Sequence, residues 1–258
     1  MWVDSMPEVY DRCLGPVVFH PFAVELAARA ARLRPRTVLE LAAGTGIVTR
    51  ELVALPGAAV TATDLNEAMV AFGARAVPGA AWERADAQAL PYDDARFDLV
   101  VCQFGVMFLP DRPAAYAEAR RVLTPGGRLL FNTWATLDTH DFQRAVVAAV
   151  RQLFPEDPPL FLLEIPHGYA DVDRVVAEVR AGGFDVVDVE TVTLTRYAES
   201  AAALAAGFCT GTPMRAQIER RGDLAETTAA VERLLAAELG PGPVTGRMSA
   251  HVVEARVV

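Results

Sequence analysis

The stretch from Val38 to Thr49 constrains this chain more than any other. A short apolar run, Val38-Leu39-Glu40-Leu41, carries one acidic residue and opens into the small-residue turn Ala42-Ala43-Gly44-Thr45-Gly46. Ile47, Val48, Glu51, Leu52 and Leu55 then recur at helical spacing. Strand, glycine turn and helix open a βαβ unit of the kind that binds nucleotide-like ligands. Gly44 and Gly46 lack a β-carbon, so the backbone turns tightly and lets a ligand touch it. The helix N-terminus offers unpaired N–H groups to a carboxylate or phosphate.

Two ligand classes fit this turn poorly. A dinucleotide fingerprint, Gly-x-Gly-x-x-Gly, needs glycine where Thr49 stands, and no Gly-Lys-Ser/Thr follows for a P-loop. A carboxylate at Glu40 repels a pyrophosphate and suits an ammonium group. A ligand with both an ammonium and a carboxylate, such as the methionyl end of S-adenosylmethionine (SAM), fits better.

The turn heads a regular alternation. Ala58 to Thr63 reads as a second strand ending on Asp64, and Ala68 to Arg75 as a helix started by Asn66-Glu67. Ala81 to Ala85 is a third strand ending at Asp86. Phe97 to Phe104 is a continuous apolar run, as in a strand buried on both faces. Pro113 to Leu123 reads as a helix, Thr124-Pro125-Gly126-Gly127 as a turn and Arg128 to Trp134 as a fifth strand. The pattern predicts an α/β fold, a doubly wound parallel sheet with helices on both faces. Before it, the aromatic-rich segment from Met6 leads into a helix over about 22–33.

Beyond Trp134 the reading expects helices over Asp141–Phe154, Val172–Ala181, Ala201–Phe208, Pro213–Arg220 and Leu224–Leu239. Strands are expected over Phe184–Leu194 and Arg247–Val257. Pro155 to Pro166 reads as a proline-rich loop with exposed Leu160, Phe161, Leu162 and Leu163.

Several residues sit where chemistry would need them. Asp64 follows Gly46 by 18 positions, where a carboxylate can accept both ribose hydroxyls. Gln103 ends the apolar fourth strand on a polar side chain, at the carboxyl edge where open α/β sheets bind ligands. It is read as facing the methionyl part or the acceptor.

Glu40 to Gly46, Asp64, Asp86-Ala87, Phe97 to Asp111 and Thr124 to Gly127 occur in an order that resembles the class I SAM-dependent methyltransferases. Ala42 stands where that family often has glycine, a mild change because alanine is still small. The resemblance covers about the first 135 residues well and the rest loosely. It implies a mostly parallel seven-stranded Rossmann-like sheet ending in an antiparallel hairpin, with SAM as cofactor. It also implies that Leu65 and Met69 pack on the adenine. Asp86 would then meet the adenine amino group, and Ala87 would offer the ring a backbone N–H. One domain is expected over 1–258: a cap at 1–36, a SAM-binding core at 37–137, and lid or substrate insertions at 138–168 and 199–243.

Composition narrows the partners. Net charge is −9, every basic residue is Arg, and pI is near 5.0. No basic cluster stands out, so nucleic acid is not expected as a partner. The absence of Lys removes lysine-based mechanisms. The longest uncharged run, Ser200 to Met214, is broken by Gly207, Gly211 and Pro213, so no membrane span is expected. No signal peptide is visible at Met1-Trp2-Val3-Asp4. Three scattered cysteines, Cys13, Cys102 and Cys209, give no disulfide or zinc pattern and fit a reducing cytoplasm.

No Asn/Asp-Pro-Pro-Tyr/Phe motif follows strand four, which opposes nucleobase amino-methylation. Cys102 to Asp111 lacks the carboxylates a magnesium site needs, so no metal is expected. Of four histidines, His20 and His251 read as packing residues and His167 cannot be placed. His140, just past strand five, is the candidate general base. Methyl transfer needs a base only if the acceptor must lose a proton. The expectation is methyl transfer from SAM to a small-molecule acceptor with apolar surface, the apolar loop residues Leu160 to Leu163 supplying that surface. An NAD-type oxidoreductase and a non-catalytic SAM-binding protein are the alternatives. The oligomeric state is not legible.

Overall fold

Apolar runs bounded by charge have no face left for water, and in the computed structural model they form the centre of one sheet. The structure describes residues 6–256, with the side chains of Met6, Val186 and Val187 outside the description. The strands are β1 (Thr37–Glu40), β2 (Ala59–Asp64), β3 (Ala81–Arg84), β4 (Phe97–Gln103), β5 (Leu123–Trp134), β6 (Asp185–Ala198) and β7 (Val244–Arg256). Their order is β3-β2-β1-β4-β5-β7-β6. β1 runs parallel to both β2 and β4, so that Leu39 sits between Thr61 and Val100. β7 is antiparallel to β5, pairing Phe131 with Val253. Thr191 meets His251 at 2.8 Å and Thr193 meets Ser249 at 2.9 Å. One index rises as the other falls, so β6 and β7 are antiparallel as well. The fold is thus the expected doubly wound, mostly parallel seven-stranded sheet with an antiparallel C-terminal pair.

The helices are α1 (Met6–Val9), α2 (His20–Leu33), α3 (Ile47–Leu52), α4 (Glu67–Ala76), α5 (Arg112–Val122), α6 (Asp141–Leu153), α7 (Phe161–Glu164), α8 (Val172–Ala181), α9 (Ala201–Gly211), α10 (Met214–Glu219) and α11 (Leu224–Leu239). Their starts follow side-chain chemistry. Asn66, Asp111, Asp171, Ser200 and Asp223 each accept a backbone N–H in the first turn of the helix that follows.

The described residues gather into two compact units. One is drawn from 6–21, Ala135–Gly168 and Thr193–Ser249, the other from Phe22–Trp134, Tyr169–Val192 and 250–256. The second holds most of the sheet, with Leu39, Leu99, Val100, Leu130 and Phe131 fully buried in it. In the first, α9 packs against α11 and against Tyr10–Phe19. Gly207 lies so close to Leu14 that a β-carbon there would come within 2.6 Å of it.

Four readings of the sequence are corrected. Residues 6–33 are helical throughout, with wide turns over Tyr10–Phe19, where the His20 N–H reaches back five residues to Gly15. Pro16 lacks an N–H, and the wider turn absorbs that loss. The Pro155–Pro166 loop contains α7, and Phe161 and Leu162 are buried, not exposed. Gln217 supplies the reason, since its Oε1 accepts the Phe161 N–H and holds the segment inward. Thr124–Gly127 is an irregularity within β5: the register with β4 jumps between Phe97↔Leu123 and Leu99↔Arg128. Finally, Arg32, Arg34, Arg36 and Arg128 line one groove, where no basic cluster was expected. The β1 and β5 strands flank β4, which brings Arg128 to the edge where Arg32, Arg34 and Arg36 already stand close together in the chain. The last strand begins at Val244; Val257, expected within it, lies outside the described residues.

Candidate functional site

β1, β2 and β4 end side by side, so the residues after them share the carboxyl edge of the sheet. Gly44 and Gly46 lie at φ 58° and 85°, in the left-handed region that favours glycine. A β-carbon at Gly46 would press on Val77 and Trp82 at 3.0–3.1 Å. At Gly44 it would meet nothing within 4 Å, so the backbone there borders open space. Ala42 is also left-handed, at φ 52°. Its departure from glycine is therefore a matter of backbone conformation more than of size.

Glu40 is 1% exposed, and its Oε2 accepts the Thr49 hydroxyl at 2.7 Å. Burial pushes its carboxyl up to about 8; the Thr49 bond opposes this and the nearby Asp64 adds to it. Thr49, which counted only against a dinucleotide, proves to be the partner of Glu40. Asp64 Oδ2 accepts the Gly44 N–H at 2.9 Å, and Oδ1 accepts the Asn66 N–H at 2.8 Å. Burial raises the Asp64 carboxyl, with these N–H groups pulling the other way. One carboxylate thus ties the first glycine turn to the start of α4. Leu65 beside it is 59% exposed, whereas Met69 is 4% exposed and already in the core.

A profile of the methyltransferase domain matches residues 39–131. The ubiquinone/menaquinone biosynthesis C-methyltransferase UbiE of Dinoroseobacter shibae is 32% identical over 184 residues, covering 65% of this chain and 72% of its own. The same enzyme of Caulobacter vibrioides is 30% identical over 205 residues, 70% of this chain and 79% of its own. The chain belongs to the class I SAM-dependent methyltransferases. It transfers a methyl group from SAM to a small-molecule acceptor. A SAM-dependent methyltransferase of Aquifex aeolicus shares the fold, with a TM-score of 0.58 at 16% identity and full coverage of both chains.

The edge fits this cofactor on its own chemistry. Thr45 Oγ1, between the two glycines, is buried with no hydrogen-bond partner among the described residues. The space over Gly44 is open, and a cation beside Glu40, whose carboxyl burial pushes up to about 8, would favour its ionised form. Bound there, SAM supplies a methyl group on a positively charged sulfur that leaves readily. The chain's own task is to position the acceptor in line and exclude water.

Asp86 follows β3, and its Oδ1 accepts both the backbone and the side-chain N–H of Gln88, at 2.9 and 3.3 Å. Gln88 Oε1 in turn accepts the Asp111 N–H. Asp86 and Ala87 are both half-buried. Gln103 pairs with Asn132 across β4 and β5.

Sequence reasoning missed the next turn. Phe104, at φ 50°, is a bulky residue in a conformation that costs about 1–3 kcal/mol. Asn132 holds it there: its Oδ1 accepts the Phe104 N–H at 3.0 Å. The Phe104 ring stacks on Trp134 at 3.4 Å, and Phe22 meets both rings edge-on. Buried Asn132 inside an apolar strand was the available signal. Cys102 beneath is no nucleophile, since burial pushes its thiol up to about 12.

His140 belongs to the other unit. It is fully buried, its backbone carbonyl accepts the Arg144 N–H at the start of α6, and its ring lies 4.4 Å from that of His167. His167 Nδ1 bonds the Ala135 carbonyl at 2.8 Å, which makes Nδ1 the donor, and burial pulls the ring down to about 4. His251 is bonded to Thr191 within the sheet, in line with a packing role.

Proposed function

We propose that SAM is held by Glu40, Ala42, Gly44, Gly46, Asp64, Leu65, Asp86, Ala87 and Gln103, with Met69 backing the adenine from the core, and that the acceptor is a small molecule with substantial apolar surface. Glu40 takes the ammonium, Asp64 the ribose hydroxyls, Leu65 covers the adenine, and Asp86-Ala87 meets its polar edge. Gln103 faces the methionyl part or the acceptor. One observation carries the acceptor class: the relatives matched over most of this chain are named for ubiquinone and menaquinone biosynthesis, and quinones are small and largely apolar. The rings of Phe22, Phe104 and Trp134 are buried against one another and do not themselves offer the acceptor an open surface. The loop residues Phe161 and Leu162, being buried, no longer bear on it directly.

The residues outside the core, 1–36, 138–168 and 199–243, are assigned to acceptor recognition as parts of one methyltransferase domain. Much of that chain falls in the compact unit that includes Ala135–Gly168 and Thr193–Ser249, which supports reading these stretches as additions to the core. The relatives' names point to an aromatic ring carbon of quinone type as the first acceptor to try. Transfer rests on alignment, with no base required from His140. A cytoplasmic setting agrees with three free cysteines. No helix among the described residues is long and apolar enough to cross a membrane.

Tritium transfer from methyl-labelled SAM to a panel of acceptors tests the reading. Incorporation is expected into a hydroxylated aromatic or demethylated quinol. Incorporation confined to highly charged acceptors would overturn the apolar assignment.

A further inference from the structure

A second concave site lies at the opposite edge of the same strands. Arg36 immediately precedes β1, Asp98 opens β4, and Thr124–Gly127 with Arg128 begins β5. Together with Arg32 and Arg34 they line a cavity of about 590 Å³. That volume lies within the range of small-molecule sites. Four arginines and one carboxylate are in the lining, in a chain whose net charge is −9.

Asp98 does not neutralise the group. Its Oδ2 accepts the backbone N–H groups of Arg36 and Thr37 at 2.9 and 3.0 Å, fixing the turn that presents the arginines. Arg128 has one distant acidic neighbour, Glu254 at 3.7 Å. Arg32, Arg34 and Arg36 are exposed and make no ion pair among the described residues. Arg34 is held at φ 50°, a strained conformation for a side chain of its size. It is the left-handed residue that ends α2 and turns the chain towards β1. Gly126 is also in the lining, and a β-carbon there would meet nothing within 4 Å, so its backbone borders open space.

We propose that this groove is an anion site for a small molecule bearing a diphosphate, separate from the SAM site. Guanidinium forks match phosphate oxygens in pairs, and four of them exceed what a single monoanion uses. β1 is four residues long, which sets the two sites about 13 Å apart along the strand. The proposal does not depend on which acceptor is methylated.

Calorimetric titration with inorganic pyrophosphate tests it, with S-adenosylhomocysteine titrated in parallel as a check on the fold. Saturable binding in roughly the 10–1000 μM range is expected, weakening as salt rises. Arg34→Gly suits the left-handed backbone, and Arg36→Ala keeps its backbone bond to Asp98. Each should weaken pyrophosphate about tenfold while leaving S-adenosylhomocysteine affinity within about twofold. On the unmutated protein, pyrophosphate should also protect Arg34 and Arg36 from phenylglyoxal, read by peptide mapping. No pyrophosphate binding, or binding without protection and unchanged in both variants, overturns the proposal. So does binding of phosphatidylglycerol vesicles or duplex DNA without any response to pyrophosphate.

Discussion

Glu40 is a carboxyl held away from water, and its worth to the protein depends on pH. Folding raises it from the ordinary carboxylate range to about 8. Between those values the folded state binds the extra proton, so the contribution to stability falls as pH rises from about 4.5 to 8. Glu40→Gln keeps a partner for Thr49 and removes the titration. It should stabilise the ligand-free protein by roughly 2–4 kcal/mol at pH 7 and flatten stability across that window, read by urea unfolding at several pH values. An ammonium binding beside Glu40 must displace the proton. Affinity for S-adenosylhomocysteine should therefore climb by up to about tenfold per unit between pH 6 and 8, and Glu40→Gln should abolish the slope. A flat profile in the unmutated protein would remove Glu40 from the ammonium site. Asp64→Ala should weaken S-adenosylhomocysteine by about 1–3 kcal/mol through lost charge-assisted hydrogen bonds; unchanged calorimetry would take Asp64 out of the site. His140→Ala should leave turnover within a few-fold. A loss of about 10²–10⁴-fold with intact cofactor affinity would instead make His140 the base.

At the scale of elements, the turn after β1 touches the turn after β4. A β-carbon at Gly105 would come within 2.5 Å of the Ala42 β-carbon and 2.6 Å of Cys102 Sγ. Both turns hold a non-glycine residue at positive φ, Ala42 and Phe104, so neither has slack to move. Gly105→Ala should cost about 1–3 kcal/mol by overpacking, read as a lower urea midpoint. Because the displaced turn carries Gly44, the same change should weaken S-adenosylhomocysteine about tenfold. Full stability with full affinity would show that the two turns move independently.

For the molecule as a whole, a ligand that binds only the folded chain stabilises it by mass action. At about 100 times its dissociation constant S-adenosylhomocysteine adds about 2.7 kcal/mol, which for a chain of this size raises Tm by roughly 5–10 °C. NAD should leave Tm unmoved, because Thr49 occupies the third glycine position and bonds Glu40. A shift with NAD and none with S-adenosylhomocysteine would contradict the family assignment, and differential scanning fluorimetry decides it.

Short-range chemistry made much of this legible in the residues alone. Apolar runs, caps and glycine turns act within a few positions, so β1 to β4, the later part of β5, the helices over Val172–Ala181 and Leu224–Leu239, and the placement of Glu40, Gly44 and Asp64 at the ends of strands could be read directly. Burial and pairing act across the chain, and only the tertiary structure decided those. Thr49 meets Glu40 because a helix folds back over a strand, and Phe161 turns inward because Gln217 lies 56 positions away in sequence but within a hydrogen bond in space. Arg36 joins Arg128 because β1 and β5 flank the same strand. Local propensity carries no record of such neighbours, since each depends on which elements the sheet order sets side by side.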